Sequence, residues 1–344
     1  MAKSVMFAVA GSGKTTTLIE RLTLDQRALI ITYTENNYAH LQRSIIRKFG
    51  FLPPNISLFT YFGFLNGFCC RPQLELALGT RGLSFITPPA HTRTFARTRM
   101  EYYKDGKGYL FHNRLAKLLQ VKGTVPRLIA RVERFYDQLF VDEVQDFAGH
   151  DFDLLLALMP AQVDILLVGD FYQHTFDTSR DGPTNRTLHD DIQRYERRFS
   201  DVGVQVDKET LSHSWRCGTT VCDFITTHLQ INIGSHRSDE MAIVPVITQD
   251  HADTVHADPG VVKLFYQESY KYGCHAFNWG ASKGMDHFQD VCVVLSDKNW
   301  KLYLRGSFEG LPAQTRNKLY VACSRARGNL YLVHEKHFRA FKAT

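Results

Sequence analysis

Short apolar runs punctuate the first part of the chain: Val5–Val9, Ala28–Thr32, Ile56–Phe59, Gln138–Val141 and Asp164–Val168. Such runs, rich in Val, Ile and Leu and without polar alternation, predict strands buried on both faces of a parallel sheet. Between them lie Thr16–Leu24, Tyr38–Lys48 and Asp151–Leu158, where helical periodicity predicts helices. A second set of runs follows at Gln205–Leu211, Ile243–Thr248, Val261–Tyr266, Val291–Leu295 and Asn329–Val333, with helices expected at Thr219–Leu229 and Ala313–Ser324. Strands alternating with helices predict an α/β fold, each sheet parallel and flanked by helices. The polar stretch 178–187, with Gly182-Pro183, reads as a loop, and the join between halves is expected near Ser200–Gly203. That gives an N-terminal lobe 1–203 and a C-terminal lobe 204–344.

Composition narrows the class. The 344 residues are 44% hydrophobic and 22% charged, which excludes a disordered or fibrous chain. No apolar run approaches the ~18 residues a membrane helix needs. Met1–Phe7 carries one charge and leads directly into a glycine-rich stretch, so no signal peptide is expected. Seven scattered cysteines make no disulfide framework, and a reducing cytoplasm is the expected setting.

The net charge of +6 is unevenly spread. From Arg71 to Arg134 there are thirteen Lys/Arg against four Asp/Glu, a local +9, interleaved with Phe95, Tyr102, Tyr103, Tyr109 and Phe111. Cations neutralise phosphates and flat rings stack on bases, so this segment is expected to touch nucleic acid; a solvated helical face is the alternative.

Two motifs carry chemistry. Ala8-Val9-Ala10-Gly11-Ser12-Gly13-Lys14-Thr15 follows a strand and opens a helix, the context of a phosphate-binding loop, although Ala8 stands where the usual first glycine falls. Backbone N–H groups of Ala10 to Thr16 would cradle phosphates, Lys14 would reach the β- and γ-phosphates, and the Thr15 hydroxyl would face Mg²⁺. Phe140-Val141-Asp142-Glu143-Val144-Gln145-Asp146 ends another apolar strand. Asp142 is placed to hold a magnesium-bound water, and Glu143 to deprotonate the attacking water; an acidic strand-to-helix cap is the plainer alternative. His213, Cys217, Cys222 and His228 have spacings poorly suited to a zinc site.

Taken together, the motifs resemble those of superfamily 1 helicases of the UvrD/Rep type. Asp142-Glu143-Val144-Gln145-Asp146 matches that family's Asp-Glu-x-Gln-Asp box. Thr32-Tyr33-Thr34-Glu35-Asn36 and Thr60-Tyr61-Phe62 resemble its DNA-contacting motifs, and Gly169-Asp170-Phe171-Tyr172-Gln173 the motif whose Gln senses the γ-phosphate. Ser214-Trp215-Arg216, Ser282-Lys283-Gly284-Met285-Asp286 and Tyr320-Val321-Ala322-Cys323-Ser324-Arg325-Ala326 are similar to the motifs of the second half.

The resemblance implies two RecA-like lobes with small insertions at about 71–134 and 230–258. It implies ATP and Mg²⁺ as cofactors, Trp215 stacked on the base, Asp286 on the ribose, and Gln173, Arg216 and Arg325 on the γ-phosphate, Arg325 as an arginine finger. Thr32, Tyr33, Thr34, Thr60, Tyr61 and Lys283 would contact single-stranded DNA. The implied function is an ATP-hydrolysing DNA helicase or translocase running 3′–5′ on single-stranded or tailed DNA, the γ-phosphate bridging the two halves.

Three departures qualify that implication. The family's adenine-reading Gln lies about twenty residues before the loop, and only seven residues precede Ala8, so weak discrimination among ATP, dATP and GTP is expected. Thr175-Phe176-Asp177-Thr178-Ser179-Arg180 replaces the aromatic-Arg-Gly string that intercalates between bases, with Phe176 or Phe171 as the replacement ring, Phe171 reading equally well as core. The fifth motif lacks its His, and nearby Trp279 is either a base-stacking substitute or a core ring. With its small insertions, the chain has a second reading as a nucleotide-gated sensor regulating a partner nuclease, in the manner of anti-phage systems.

Overall fold

The structure, a computed structural model, describes residues 1–175, 181–239 and 241–343. The chain folds into two compact units. One comprises Met1–Met6, Thr15–Gly169 and Phe176–Asp207; the other comprises Phe7–Lys14, Asp170–Thr175 and Lys208–Thr344.

The first unit is built on β1 (Lys3–Phe7), β2 (Ala28–Thr32), β3 (Ile56–Thr60), β4 (Leu83–Ser84), β5 (Leu110–Phe111), β6 (Gln138–Val141), β7 (Asp164–Gly169) and β8 (Gln205–Asp207). Six of these form one sheet in the order β3-β2-β6-β7-β1-β8, while β4 and β5 pair separately. The β2–β3, β2–β6, β6–β7 and β1–β8 ladders are parallel. Every residue of β2 and of β6 is buried, as strands covered on both faces require.

Helix Glu35–Phe49 shows how local sequence sets the boundaries. Thr34 caps its start by accepting a hydrogen bond from Asn37 N at 3.2 Å, and Gly50, at φ +83°, closes its end with N–H to Ile46 O at 2.7 Å. The expected Tyr38–Lys48 thus extends to both caps.

The segment 71–134 holds helices Arg71–Leu78 and Leu115–Val121, nearly all of helix Val125–Phe135, and the β4–β5 pair. Arg114 is 1% exposed, with Nε on Asp181 Oδ2 at 2.6 Å and its guanidinium over the Tyr102 ring at 4.0 Å.

The second unit contains β9 (His213–Ser214), β10 (Gly234–Ser235), β11 (Ile243–Val246), β12 (Val261–Phe265), β13 (Ala276–Asn278), β14 (Asp290–Leu295) and β15 (Leu330–His334). Its main sheet runs β11-β15-β14-β12-β13 with every ladder parallel, and helices Thr219–Leu229 and Ala313–Cys323 pack into its core.

Two sequence expectations change. Gln205–Leu211 gives only the short β8, which lies on the edge of the first sheet, because Gln205–Asp207 pairs in register with Ser4–Met6. The stretch 230–258 supplies β11, an edge strand of the second sheet, as well as helix Gln249–Ala257. No described helix is long and apolar enough to cross a membrane.

Candidate nucleotide and nucleic-acid sites

The loop after β1 turns on two glycines with positive φ, Gly11 at +74° and Gly13 at +90°, a conformation that side chains disfavour. Its backbone is fixed within the second unit. Val9 N donates to Leu211 O at 3.0 Å, and Ala10 N donates to the Tyr320 hydroxyl at 2.7 Å. That hydroxyl in turn donates to Asp170 Oδ2 at 2.9 Å, the oxygen that also accepts from Gln173 Nε2 at 2.8 Å. Burial, and then Asp170, push the Tyr320 phenol well above its usual range, so it stays protonated and relays the bond. One buried carboxylate therefore ties the loop, Gln173 and helix Ala313–Cys323 together.

Ser214-Trp215-Arg216 runs directly beside Gly11. Trp215 N donates to Gly11 O at 2.9 Å, and a Cβ on Gly11 would lie 2.6 Å from Arg216 Cβ and 2.8 Å from Ser214 Oγ. Glycine is required there by both dihedral and space. Trp215 is 62% exposed and stacks on His236, with centroids 4.0 Å apart. Arg216 and Arg325 are buried, and both engage Asp286. A glycine-turned loop ending in Lys14, with two buried guanidinium groups in the same unit, fits a polyphosphate.

In the first unit, Asp142 follows β6, is 3% exposed and donates its N–H to Ile31 O at 2.9 Å. Glu143 has φ +56° and its carboxylate accepts from Gln145 Nε2. A left-handed glutamate is sterically disfavoured, by roughly 1 kcal/mol, and such strain concentrates at functional positions. Gly169 makes room for this turn: a Cβ there would collide with Gln145 Oε1 and lie 2.7 Å from Val144 Cγ1. Thr15 and Thr16 lie in the first turn of helix Lys14–Glu20. The Thr15 hydroxyl and Asp142 carboxylate are hard oxygen donors of the kind Mg²⁺ takes.

The six residues expected on DNA separate. Thr32, Tyr33 and Tyr61 are buried, with Tyr61 stacked on Tyr33 at 5.4 Å and edge-on to Phe147 at 4.7 Å. Thr34 and Thr60 act as caps for the turns that follow them. Tyr33 and Thr60 also line a groove of about 620 Å³ with Glu35, Phe62, Gly63, Asn66, Leu83 and Phe85. Phe85 is 64% exposed and stacks on His112 at 5.0 Å. Lys283, partly exposed, shares its loop with Asp286 in the second unit.

Several candidate stacking rings are core instead. Tyr102, Tyr103 and Phe111 of the basic segment are buried, and Arg114 is held by Asp181, so part of that composition serves packing. Arg93, Arg97 and Arg99 are exposed. Phe171 is 2% exposed and unavailable for intercalation, while Phe176 lies outside the described residues. Trp279 is fully buried, its Nε1 donating to Leu264 O at 3.0 Å.

Motifs alone assign no role to Tyr320, Asp170 or Phe85. The first two stand inside recognisable motifs, but the hydrogen bonds that give them roles cross 150 positions or more. Phe85 carries no local signal at all.

Parallel sheets, a glycine-turned loop after a strand and an acidic strand tip define an α/β protein of the phosphate-loop type. The chain belongs to the viral superfamily 1 RNA helicase core domain family, which matches residues 97–334. That match is to the viral type rather than the UvrD/Rep type. Among solved structures it is similar to an arterivirus nonstructural protein 10 helicase in complex with DNA, at 18% identity and TM-score 0.50, covering 96% of this chain and 60% of that one. It is also similar to the PRRSV helicase, at 16% identity and TM-score 0.47, covering 99% of this chain and 55% of that one. The chain thus spans a little over half the length of these helicases. No curated protein matches it in sequence.

Proposed function

We propose that the chain is an NTP-hydrolysing nucleic-acid helicase or translocase that uses ATP and Mg²⁺. The observation that carries this reading is the second unit's phosphate loop, fixed by Tyr320 and Asp170 and lying beside Arg216. Gly11 to Lys14 bind the phosphates. Arg216 and Arg325 neutralise charge that builds on the γ-phosphoryl oxygens, a contribution worth ~10³–10⁵ in rate among related NTPases. Asp142 and Thr15 would hold Mg²⁺, which would shield the phosphate charge when bound, and Glu143 would take the proton of the attacking water. Gln173, held by Asp170, orients that water or the terminal phosphate, and Trp215 presents an exposed ring to the base.

The nucleic-acid side rests on the groove of Tyr33, Thr60, Phe62 and Phe85 and on the exposed arginines of segment 71–134. A single strand would stack its bases on the exposed Phe85 and the partly exposed Phe62, with Tyr33 buried behind them, while the arginines take its phosphates. The solved relative in complex with DNA supports a nucleic-acid substrate.

Hydrolysis measured with and without single-stranded DNA and RNA tests the reading. Several-fold stimulation by a strand is expected, and indifference to both would overturn it. Duplexes with a 3′ or a 5′ tail then read direction. The 3′–5′ direction rests on the UvrD/Rep resemblance, and the match to the viral type removes that basis. Stimulated hydrolysis without strand separation would favour the sensor reading, with a nuclease or another partner supplying the output.

A further inference from the structure

Asp286 is the meeting point of two buried cations. Arg216 Nη2 donates to Asp286 Oδ1, and Arg325 Nη1 donates to the same oxygen at 3.3 Å. Their other donors go to backbone: Arg216 Nη1 to Ser324 O at 3.2 Å, Arg325 Nε to Val321 O at 3.2 Å, and Arg325 Nη1 to Met285 O at 3.1 Å. Arg216 Nε is buried and has no hydrogen-bond partner among the described residues. The arginine side chains are 9% and 1% exposed, while Asp286 is 56% exposed. Burial, and then Arg216, bring the Arg325 guanidinium down to about 10.

The balance of this cluster is unusual. Two guanidinium groups share one carboxylate, and the nearby Cys217 thiol, drawn below its usual range by its hydrogen bond with Cys222 and by both arginines, offsets only part of the second charge, so positive charge is left over beside the Gly11 turn, where Arg216 Cβ would nearly touch a side chain on the glycine. A buried cation without an anion is strongly destabilising, so some anion must hold the pair when no substrate is present. An exposed carboxylate is well suited to that task, because water re-solvates it cheaply on release. Phosphoryl oxygens compete for the same N–H groups and, having more oxygens, can also satisfy Arg216 Nε.

We infer that Asp286 is a displaceable stand-in for phosphate. It restrains Arg216 and Arg325 while the loop is empty and yields them to the terminal phosphates of an incoming nucleotide. This inference rests on the nucleotide reading above, and it gives Asp286 a role different from the ribose contact that the family resemblance implies. Asp286 acts through the arginines and is a positioning residue. Its carboxylate lowers affinity for polyphosphate by competing with it, and keeps two like charges from driving apart.

The probe that separates these roles is tripolyphosphate, which has neither ribose nor base. Its binding and that of ATP are measured by calorimetry on the wild-type chain and on Asp286→Asn and Asp286→Glu. Tripolyphosphate should bind Asp286→Asn about tenfold more tightly than wild type, the effect of removing one competing charge-assisted pair. Asp286→Glu, which keeps the charge, should stay within about twofold. Unchanged or weaker tripolyphosphate binding in Asp286→Asn overturns the inference. Weaker ATP binding with unchanged tripolyphosphate binding overturns it in favour of the ribose contact. An equal gain in Asp286→Glu overturns it by showing that geometry, not charge, is responsible. Should Asp286→Asn fail to fold, Asp286→Ser, which accepts a hydrogen bond without charge, carries the same comparison. If wild type binds neither ligand, the nucleotide reading falls and the inference falls with it.

Discussion

Lys14 and Glu143 are both legible from a few neighbouring letters, because each chemistry needs one residue type at one place along the chain. Lys14→Ala should abolish measurable hydrolysis, since no other loop side chain carries the cation. Glu143→Gln should lower turnover by ~10²–10⁴ while still binding nucleotide, the loss expected for a general base; a steady-state assay paired with a nucleotide-binding titration checks both, and retained turnover would remove Glu143 from that role. Arg114 is not legible in this way. By composition it is one cation among thirteen, yet it is buried and paired with Asp181 at 2.6 Å. Burial works to raise the Asp181 carboxyl, but hydrogen bonds from Arg114 and Tyr102 outweigh it and hold the group below its usual range. A depressed carboxylate stabilises above its unfolded pKa of ~3.9 and loses that contribution as pH falls through the folded value. Asp181→Asn should therefore cost about 3 kcal/mol at pH 7, and the gap from wild type should narrow below about pH 4 in urea melts.

Strands and helices with a clear hydrophobic period lie where that period puts them, and those defined by partners do not. β2 and β6 fall where their apolar runs predict, because full burial on both faces leaves a continuous signature. The run Val5–Val9 overshoots its strand by two residues: β1 ends at Phe7, after which Val9 N turns to Leu211 O and the loop begins. The two-residue strands β4 and β5 are too short for any periodicity, yet β4 leads directly to Phe85 at the groove and β5 to His112, the ring stacked on it. Phe85→Ala should weaken single-strand binding by the ~1–3 kcal/mol of a stacked base and leave its salt dependence unchanged. Reversing Arg93, Arg97 and Arg99 to Glu should instead flatten the dependence of log K on log salt, by ~0.7 for each phosphate no longer neutralised. Fluorescence anisotropy across a salt series distinguishes the two, and a flattened slope in Phe85→Ala would count against the ring's role as a stacking platform.

Across the whole molecule, the order of motifs along one chain points to a superfamily 1 helicase core, and the family match supports that level while replacing the UvrD/Rep type with the viral one. Nucleotide choice belongs at this scale. Trp215 offers a flat, exposed ring already stacked on His236, and a ring discriminates poorly among bases. ATP, dATP and GTP should be hydrolysed with kcat/KM values within about tenfold; a strong ATP preference would point to an adenine-specific hydrogen bond. The parallel α/β sheets, the phosphate loop and the acidic strand tip are written locally, because each depends on burial pattern or backbone geometry within a dozen residues. Three other features arise only when the chain is folded: Tyr320 and Asp170 fix the loop, Thr32, Tyr61, Phe171 and Trp279 become core, and Arg216 and Arg325 converge on Asp286. Those outcomes depend on which distant side chains share a buried space, and neither spacing nor composition along a chain encodes that.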